Sequence, residues 1–358
     1  MKSLITLLVS LLLLNSASAQ HQTKDVRYKK YAGHYGNTSG ISLFEDGTYL
    51  LYGYATGVFG TYKFEKDYLL FYPDQQELFE VFAHQNPALR DSTRINFLGF
   101  ERGGKTFAKF DQDSLRKVFN DDVNCLNAPF VYQKAGQTKN IILSRLPEEA
   151  AKPNVAIESS RHYHNASGYN DFILVHNAPK REYEDFSAMI IPAKTGDVIK
   201  LSNYGGDEGY PKQNKEEQAR WKEILEWKSQ YDQSKGVKKN EVYANKHYNT
   251  FPEPDSSKYH YDSRSNQYTD SSDQENSAYY KQNQYNDPRY LRKYIKLQPE
   301  TKLKFSESNL ANKSIFFSVC GEGSEHSYHY KGFEKYEEEN PQMPQNIEPV
   351  KIKDNPGI

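Results

Sequence analysis

Apolar and polar positions alternate in short runs along much of the chain, the two-residue period of strands buried on one face. "GTYKFEKD" sets Tyr62 and Phe64 against Thr61, Lys63 and Glu65. The run before it, "ISLFEDGTYLLYGY", is split by Asp46-Gly47, a dipeptide that accepts the positive φ angles of a tight hairpin turn. Lys66-Asp67 turns the chain into the run at 68–72, and Pro73-Asp74 ends it. "ELFEVFAH" follows, stopped by Asn86-Pro87. "TRINFLGFERGGKTFAKFD" reads as a hairpin with Gly103-Gly104 at its tip, Ile95 and Phe97 inward, and Arg94 and Asn96 outward. Sequential hairpins cannot make a parallel sheet. The pattern predicts a mainly β fold: an antiparallel meander over residues 24–112, closed as a barrel or folded as a sandwich.

A second β-rich unit is predicted over residues 113–202 and 293–330. It opens with "DSLRKVFND", a short helix with Asp113 as N-cap. Its strands are "FVYQ", "NIILSRL", "VAIESSRHYH", "DFILVHN", "FSAMIIPA" and "VIKLS", and the pattern resumes at "KYIKLQPETKLKFS" and "SIFFSVCG". Residues 203–292 read as an insertion. Within it a helix at 215–231 places Trp221, Ile224, Leu225, Trp227 and Tyr231 on one arc. Trp221, Trp227 and Tyr231 are the candidate ligand-binding side chains, on a face that either docks on the β core or meets a partner. Beyond the helix, "SSKYHYDSRSNQYTDSSDQENSAYYKQNQYNDPRY" carries rings at no regular period and is expected to be a disordered, tyrosine-rich loop. The tail at 331–358, acidic and then Pro-rich, is expected to be disordered as well.

"GHYGNTSGISLFEDGTYLLY" followed by "GTYKFEKDYLLFYPD" resembles the small lipocalin-like domains of exported bacterial proteins, over about residues 31–74. The shared features are a Gly-x-Tyr start, an Asp-Gly-Thr-Tyr hairpin and a Gly-Thr-Tyr strand. The resemblance implies a β-barrel and carries no activity.

Composition adds compartment rather than chemistry. "MKSLITLLVSLLLLNSASAQ" has a positive start, an apolar stretch and a small-residue "ASA", which predicts a signal peptide at 1–19 cleaved between Ala19 and Gln20. The mature chain is then expected to be exported, periplasmic or secreted, with no transmembrane segment. A net charge of -1 gives no attraction for nucleic acid. The two cysteines, Cys125 and Cys320, either pair across a long loop in an oxidising compartment or stay free.

In "SRHYHNASGYNDFILVHN", His162 and His164 share one face of a strand. If residues 165–170 form a hairpin loop, Asp171 stands opposite His164, and the three side chains suit a divalent metal. No other cofactor is expected. The glutamate that a cupin places a few residues after its second histidine is missing, since Gly168 and Tyr169 stand there. "CGEGSEHSYHY" holds further ligand types, but His326 and His329 fall on opposite faces of a strand. With no nucleophile elbow, phosphate loop or zinc motif in the sequence, the leading expectation is a non-enzymatic exported protein. Its partner would be an envelope protein or a polysaccharide. A small-ligand carrier within the barrel and a metal-dependent hydrolase built on His162, His164 and Asp171 are the alternatives.

Overall fold

The computed structural model describes residues 25–101, 105–146, 160–194, 196–213, 218–235, 240–270, 286–300, 310–321 and 327–330. The expected signal peptide, the tail at 331–358 and the second half of the tyrosine-rich tract (271–285) lie outside them. The protein is mainly β, and the chain divides into two compact units. One joins residues 1–76 to 179–238; the other joins 77–178 to 239–358.

The first unit starts with a short helix, α1 (Val26–Tyr31), whose Asp25 cap accepts the Arg27 amide at 3.0 Å. Five strands follow as a meander: β1 (Gly33–Gly36), β2 (Gly40–Leu43), β3 (Thr48–Gly53), β4 (Thr56–Glu65) and β5 (Tyr68–Pro73). The Asp46-Gly47 turn forms as its chemistry predicts: Gly47 takes φ +86° and Asp46 Oδ1 accepts the Thr48 amide at 2.9 Å. Gly60 matters for a different reason. A Cβ there would sit 2.3 Å from the Tyr72 carbonyl and 2.7 Å from the Tyr49 ring, so only glycine lets β4 pass so close.

The chain then enters the second unit with β6 (Phe79–His84), β7 (Ser92–Leu98), β8 (Thr106–Phe110), β9 (Arg116–Lys117), β10 (Phe130–Ala135), β11 (Asn140–Arg145), β12 (Arg161–His164) and β13 (Asp171–His176). It returns to the first with β14 (Phe186–Ala193), β15 (Gly196–Leu201), β16 (Tyr210–Pro211) and helix α2 (Gln218–Ser234). It ends in the second with β17 (Glu241–Ala244), β18 (Thr250–Phe251), β19 (Tyr259–Asp262), β20 (Gln267–Asp270), β21 (Tyr290–Leu297) and β22 (Pro299–Glu300).

In the first unit, β5 pairs with β14 rather than with β6, giving one eight-stranded sheet in the order β1-β2-β3-β4-β5-β14-β15-β16. Its edges meet through a bridge between Tyr35 and Lys212, so the sheet is a nearly closed antiparallel barrel. Inward side chains fill it: Tyr35, Tyr49, Tyr62, Phe71 and Phe186 are all buried, with Phe71 and Phe186 stacked at 4.6 Å.

The second unit stacks two sheets. One runs β10-β7-β13-β6-β21-β17-β18, with β19-β20 added at β21; the other runs β22-β12-β11-β8-β9. Val81, Ile95, Phe97, Phe172 and Leu174 of the first pack on Ala108, Phe110, Ile141, Leu143 and Tyr163 of the second. β13 and β7 pair in parallel, an exception to the antiparallel expectation. Cys125 and Cys320 form a disulfide, with Cα atoms 5.2 Å apart and a separation of 195 positions in sequence.

Several boundaries therefore differ from the sequence reading. Residues 77–112 belong with the second unit rather than with the meander, and β14 and β15 belong with the barrel. Alternation states which face of a strand is buried, not which sheet receives it. β7 and β8 are not a hairpin: β7 joins β10 and β13, while β8 joins β11 in the other sheet. No helix forms at 113–121, because Leu115, Val118 and Phe119 are buried in extended chain that bridges to Leu310 and Phe316. The first half of the tyrosine-rich tract is also ordered. β19 and β20 pair as a hairpin whose turn is held by Asp262, which accepts from the Arg264 amide at 3.0 Å and the Ser265 hydroxyl at 2.6 Å. Pairing of β20 with β21 then supplies backbone partners that composition alone does not reveal.

Closing a loop of this length removes entropy from the unfolded chain worth up to about 5 kcal/mol. In urea denaturation, a reductant or the Cys125→Ser, Cys320→Ser pair is expected to lower stability by several kcal/mol without changing secondary structure.

Candidate functional site

Strand β3 presents apolar groups to both sides: Tyr49 and Leu51 face into the barrel, while Leu50 and Tyr52 face out. Outward Phe44 and Phe59 extend that second apolar patch, and α2 covers it. The helix lies down on Trp221, Ile224, Lys228 and Tyr231, spaced three, four and three residues apart as one helical face requires. Trp221 stacks on Phe44 at 5.9 Å and Tyr231 on Phe59 at 4.2 Å. The Tyr231 hydroxyl donates to Asp74 at 2.6 Å.

Lys228, in the middle of this face, is 8 % exposed and lies between Asp46, at 2.8 Å, and Asp232. Burial alone would lower its ammonium pKa, but the hydrogen bonds to Asp232 and Asp46 outweigh that and raise it. Burial likewise pushes the Asp46 carboxyl up, yet Lys228 and Thr48 together hold it down at about 2. Lysine is absent from the expected arc because a hydrophobic count discards it. Its methylene stem packs while its ammonium finds a carboxylate.

The docked helix leaves a cleft of about 490 Å³ along its edge, lined by Thr38, Tyr52, Gly53, Thr56, Arg220, Glu223, Ile224 and Trp227. Of the three aromatic candidates, Trp227 lines this cleft, 43 % exposed, whereas Trp221 and Tyr231 serve mainly to seat the helix. Arg220 stands 5.6 Å above the Tyr52 ring, a cation–π placement. Beneath the cleft runs a buried polar chain. Ser42 Oγ is 3.0 Å from His34 Nδ1, His34 Nε2 is 3.1 Å from the Tyr52 hydroxyl, and that hydroxyl donates to the Tyr35 carbonyl at 3.0 Å. A carbonyl only accepts, so the order of protons is fixed: the tyrosine accepts from Nε2–H, and Nδ1 accepts from the serine. Ser42 is fully buried, and its proton is committed to a chain that ends on backbone. The chain therefore stiffens the cleft floor.

The three metal candidates do not come together. His162 and His164 do share a face of β12, as the strand period requires, with Tyr163 buried on the other side. His162 Nε2 and His164 Nδ1 both lie against Asn140 Oδ1, at 3.2 and 3.1 Å, and His162 Nδ1 is 2.7 Å from Glu300. Asp171 is elsewhere: residues 165–170 lead from one sheet to the other instead of closing a hairpin, and Asp171 pairs with His84 and Arg94. Among the described residues no group of three or more His, Cys, Asp or Glu side chains is arranged to hold a metal ion. Glu322, Glu325 and His326 lie outside those residues.

No family profile, curated protein or solved structure matches the chain. Among the described residues, no helix is long and apolar enough to cross a membrane.

The chain under the cleft makes a pH prediction. Burial, with a smaller contribution from Arg220, pushes His34 down to about 4 from 6.5. A base whose folded pKa is depressed contributes stability above its unfolded pKa and loses it as pH falls toward the folded one. Between pH 7 and 5 this one group is expected to cost about 2 kcal/mol. In urea denaturation the wild type should lose that much more stability over this range than His34→Gln does.

Proposed function

We propose that the protein is an exported, non-enzymatic binding protein of the cell envelope or extracellular space, and that the cleft beside α2 takes a neutral polysaccharide strand. One observation carries this reading: a half-exposed tryptophan flanked by hydrogen-bonding groups whose charges cancel. Arg220 and Glu223 offset one another, and Thr38 and Thr56 add hydroxyls. Such a lining favours a polar, uncharged ligand. The Trp227 ring supplies an apolar face for the C–H side of a sugar, and the surrounding donors and acceptors suit its hydroxyls.

The export part rests on the leader-like first residues and on the Cys125–Cys320 disulfide, which fits an oxidising compartment. The carrier alternative is disfavoured by the rings that occupy the barrel interior. The hydrolase alternative is disfavoured by the distance in the fold between His162 and Asp171, which stand in different sheets. Lipocalin-like ancestry remains a proposal that the barrel is compatible with, and it plays no part in the binding argument.

Both tryptophans of the protein are on α2, so selectively excited tryptophan emission reports this helix alone. Titration with neutral cello- and chito-oligosaccharides is expected to give a saturable change in emission. Trp227→Ala should weaken binding by about tenfold or more, roughly 1.4 kcal/mol, with an unchanged circular dichroism spectrum. Equal binding by Trp227→Ala would remove the cleft from the account.

A further inference from the structure

Asp171 is fully buried in the second unit, at the start of β13. Its Oδ2 accepts from Asn86 Nδ2 at 2.6 Å and Arg94 Nη2 at 3.0 Å, and its Oδ1 accepts from the Tyr248 hydroxyl at 2.9 Å. Arg292 Nη1 stands 3.8 Å from the same carboxylate, beyond hydrogen-bond range. Two guanidinium groups therefore face one carboxylate, and the neighbouring Asp287 is taken up by Arg289 at 2.9 and 3.0 Å. Buried positive charge in excess of its partners is costly.

The same cluster holds polar atoms with no partner among the described residues: Arg94 Nε, Arg292 Nη1, the Tyr294 hydroxyl and His84 Nε2. Tyr294 and His84 are 0 % and 2 % exposed, and their rings lie 5.2 Å apart. His84 Nδ1 is 2.9 Å from the Lys293 carbonyl, which can only accept, so Nδ1 carries the hydrogen. Burial keeps the ring neutral, pushing its pKa down to about 4. His84 Nε2 is thus a bare lone pair. Arg94 Nε, Arg292 Nη1, the Tyr294 hydroxyl with the Arg292 side chain beside it, and the bare His84 Nε2 thus gather where two guanidinium groups meet one carboxylate, with Tyr330 next to them.

We propose that this cluster binds a small protonated oxyanion of the phosphate class, which accepts from Arg94, Arg292 and Tyr294 and donates its own hydroxyl to His84 Nε2. Water alone would leave the charge excess in place. A fully deprotonated anion such as sulfate would meet the His84 lone pair with another lone pair, so the site discriminates between two ions of nearly equal size. Arg94 and Arg292, with side chains 17 % and 15 % exposed, are the members of the cluster nearest solvent.

The test is calorimetric titration of the full-length mature protein with inorganic phosphate and, at matched ionic strength, with sulfate. Saturable binding of one phosphate is expected, with sulfate at least about tenfold weaker because it cannot pair with a buried acceptor. Tyr294→Phe removes a hydroxyl whose polar neighbour among the described residues is the Arg292 side chain, so the fold should persist while phosphate binding weakens severalfold. Arg292→Gln should weaken it at least about tenfold. The proposal is overturned if phosphate gives no heat at millimolar concentration, which would mean that the cluster holds water only. It is equally overturned if phosphate and sulfate bind alike, or if both variants bind as the wild type does.

Discussion

Strand β3 in one unit and β13 in the other are buried on both faces, and the rest of each unit is arranged to supply the second cover. "TYLLYG" sends Tyr49 and Leu51 into the barrel and Leu50 and Tyr52 outward, where water would meet a wide apolar surface. α2 removes that surface from water. "DFILVH" sends Phe172 and Leu174 to the sheet-on-sheet core and Ile173 to the far side, where Tyr248, Phe82 and Tyr294 surround it. Each cover is assembled partly from polar side chains, and each leaves a place where chemistry collects: the cleft beside α2 in one unit, the Asp171 cluster in the other.

In both places polar tips ride on apolar bodies. Lys228 packs its stem on the barrel and pairs its ammonium with Asp46. Tyr248 lies over Ile173 and gives its hydroxyl to Asp171. Tyr163 is buried between the sheets of the second unit and donates to the Phe79 carbonyl at 2.8 Å. Tyrosines such as Tyr163 and Tyr248 thereby have a structural explanation. The ring fills space in a β core, while the hydroxyl satisfies a backbone or carboxylate group that would otherwise be stranded.

Strand positions were legible in the chain and faces in part: Arg94 and Asn96, expected outward on β7, lie on the face opposite Ile95 and Phe97 but are covered there. β10, β11, β13 and β14 lie where alternation placed them, the Asp46-Gly47 turn forms, and His162 and His164 share a face. What alternation could not supply was the partner of each strand. β5 and β6 look alike in pattern, yet they enter different sheets, and the same ambiguity moved Asp171 away from the two histidines. Trp227 was legible as an aromatic on a helix, but its role in a cleft depends on Lys228, which hydrophobic counting ignores. The Asp171 cluster left no local signal, since Arg94, Asp171, His84 and Arg292 meet only through strand pairing across the sheet.

The claim at the centre is that docking α2 on the barrel creates a binding cleft. Backbone amide chemical-shift mapping with a neutral oligosaccharide tests it most directly. The account predicts saturable shifts confined to the chain around Thr38, Tyr52 to Thr56, and Arg220 to Trp227. Shifts clustered elsewhere, or none at saturating ligand, would contradict it.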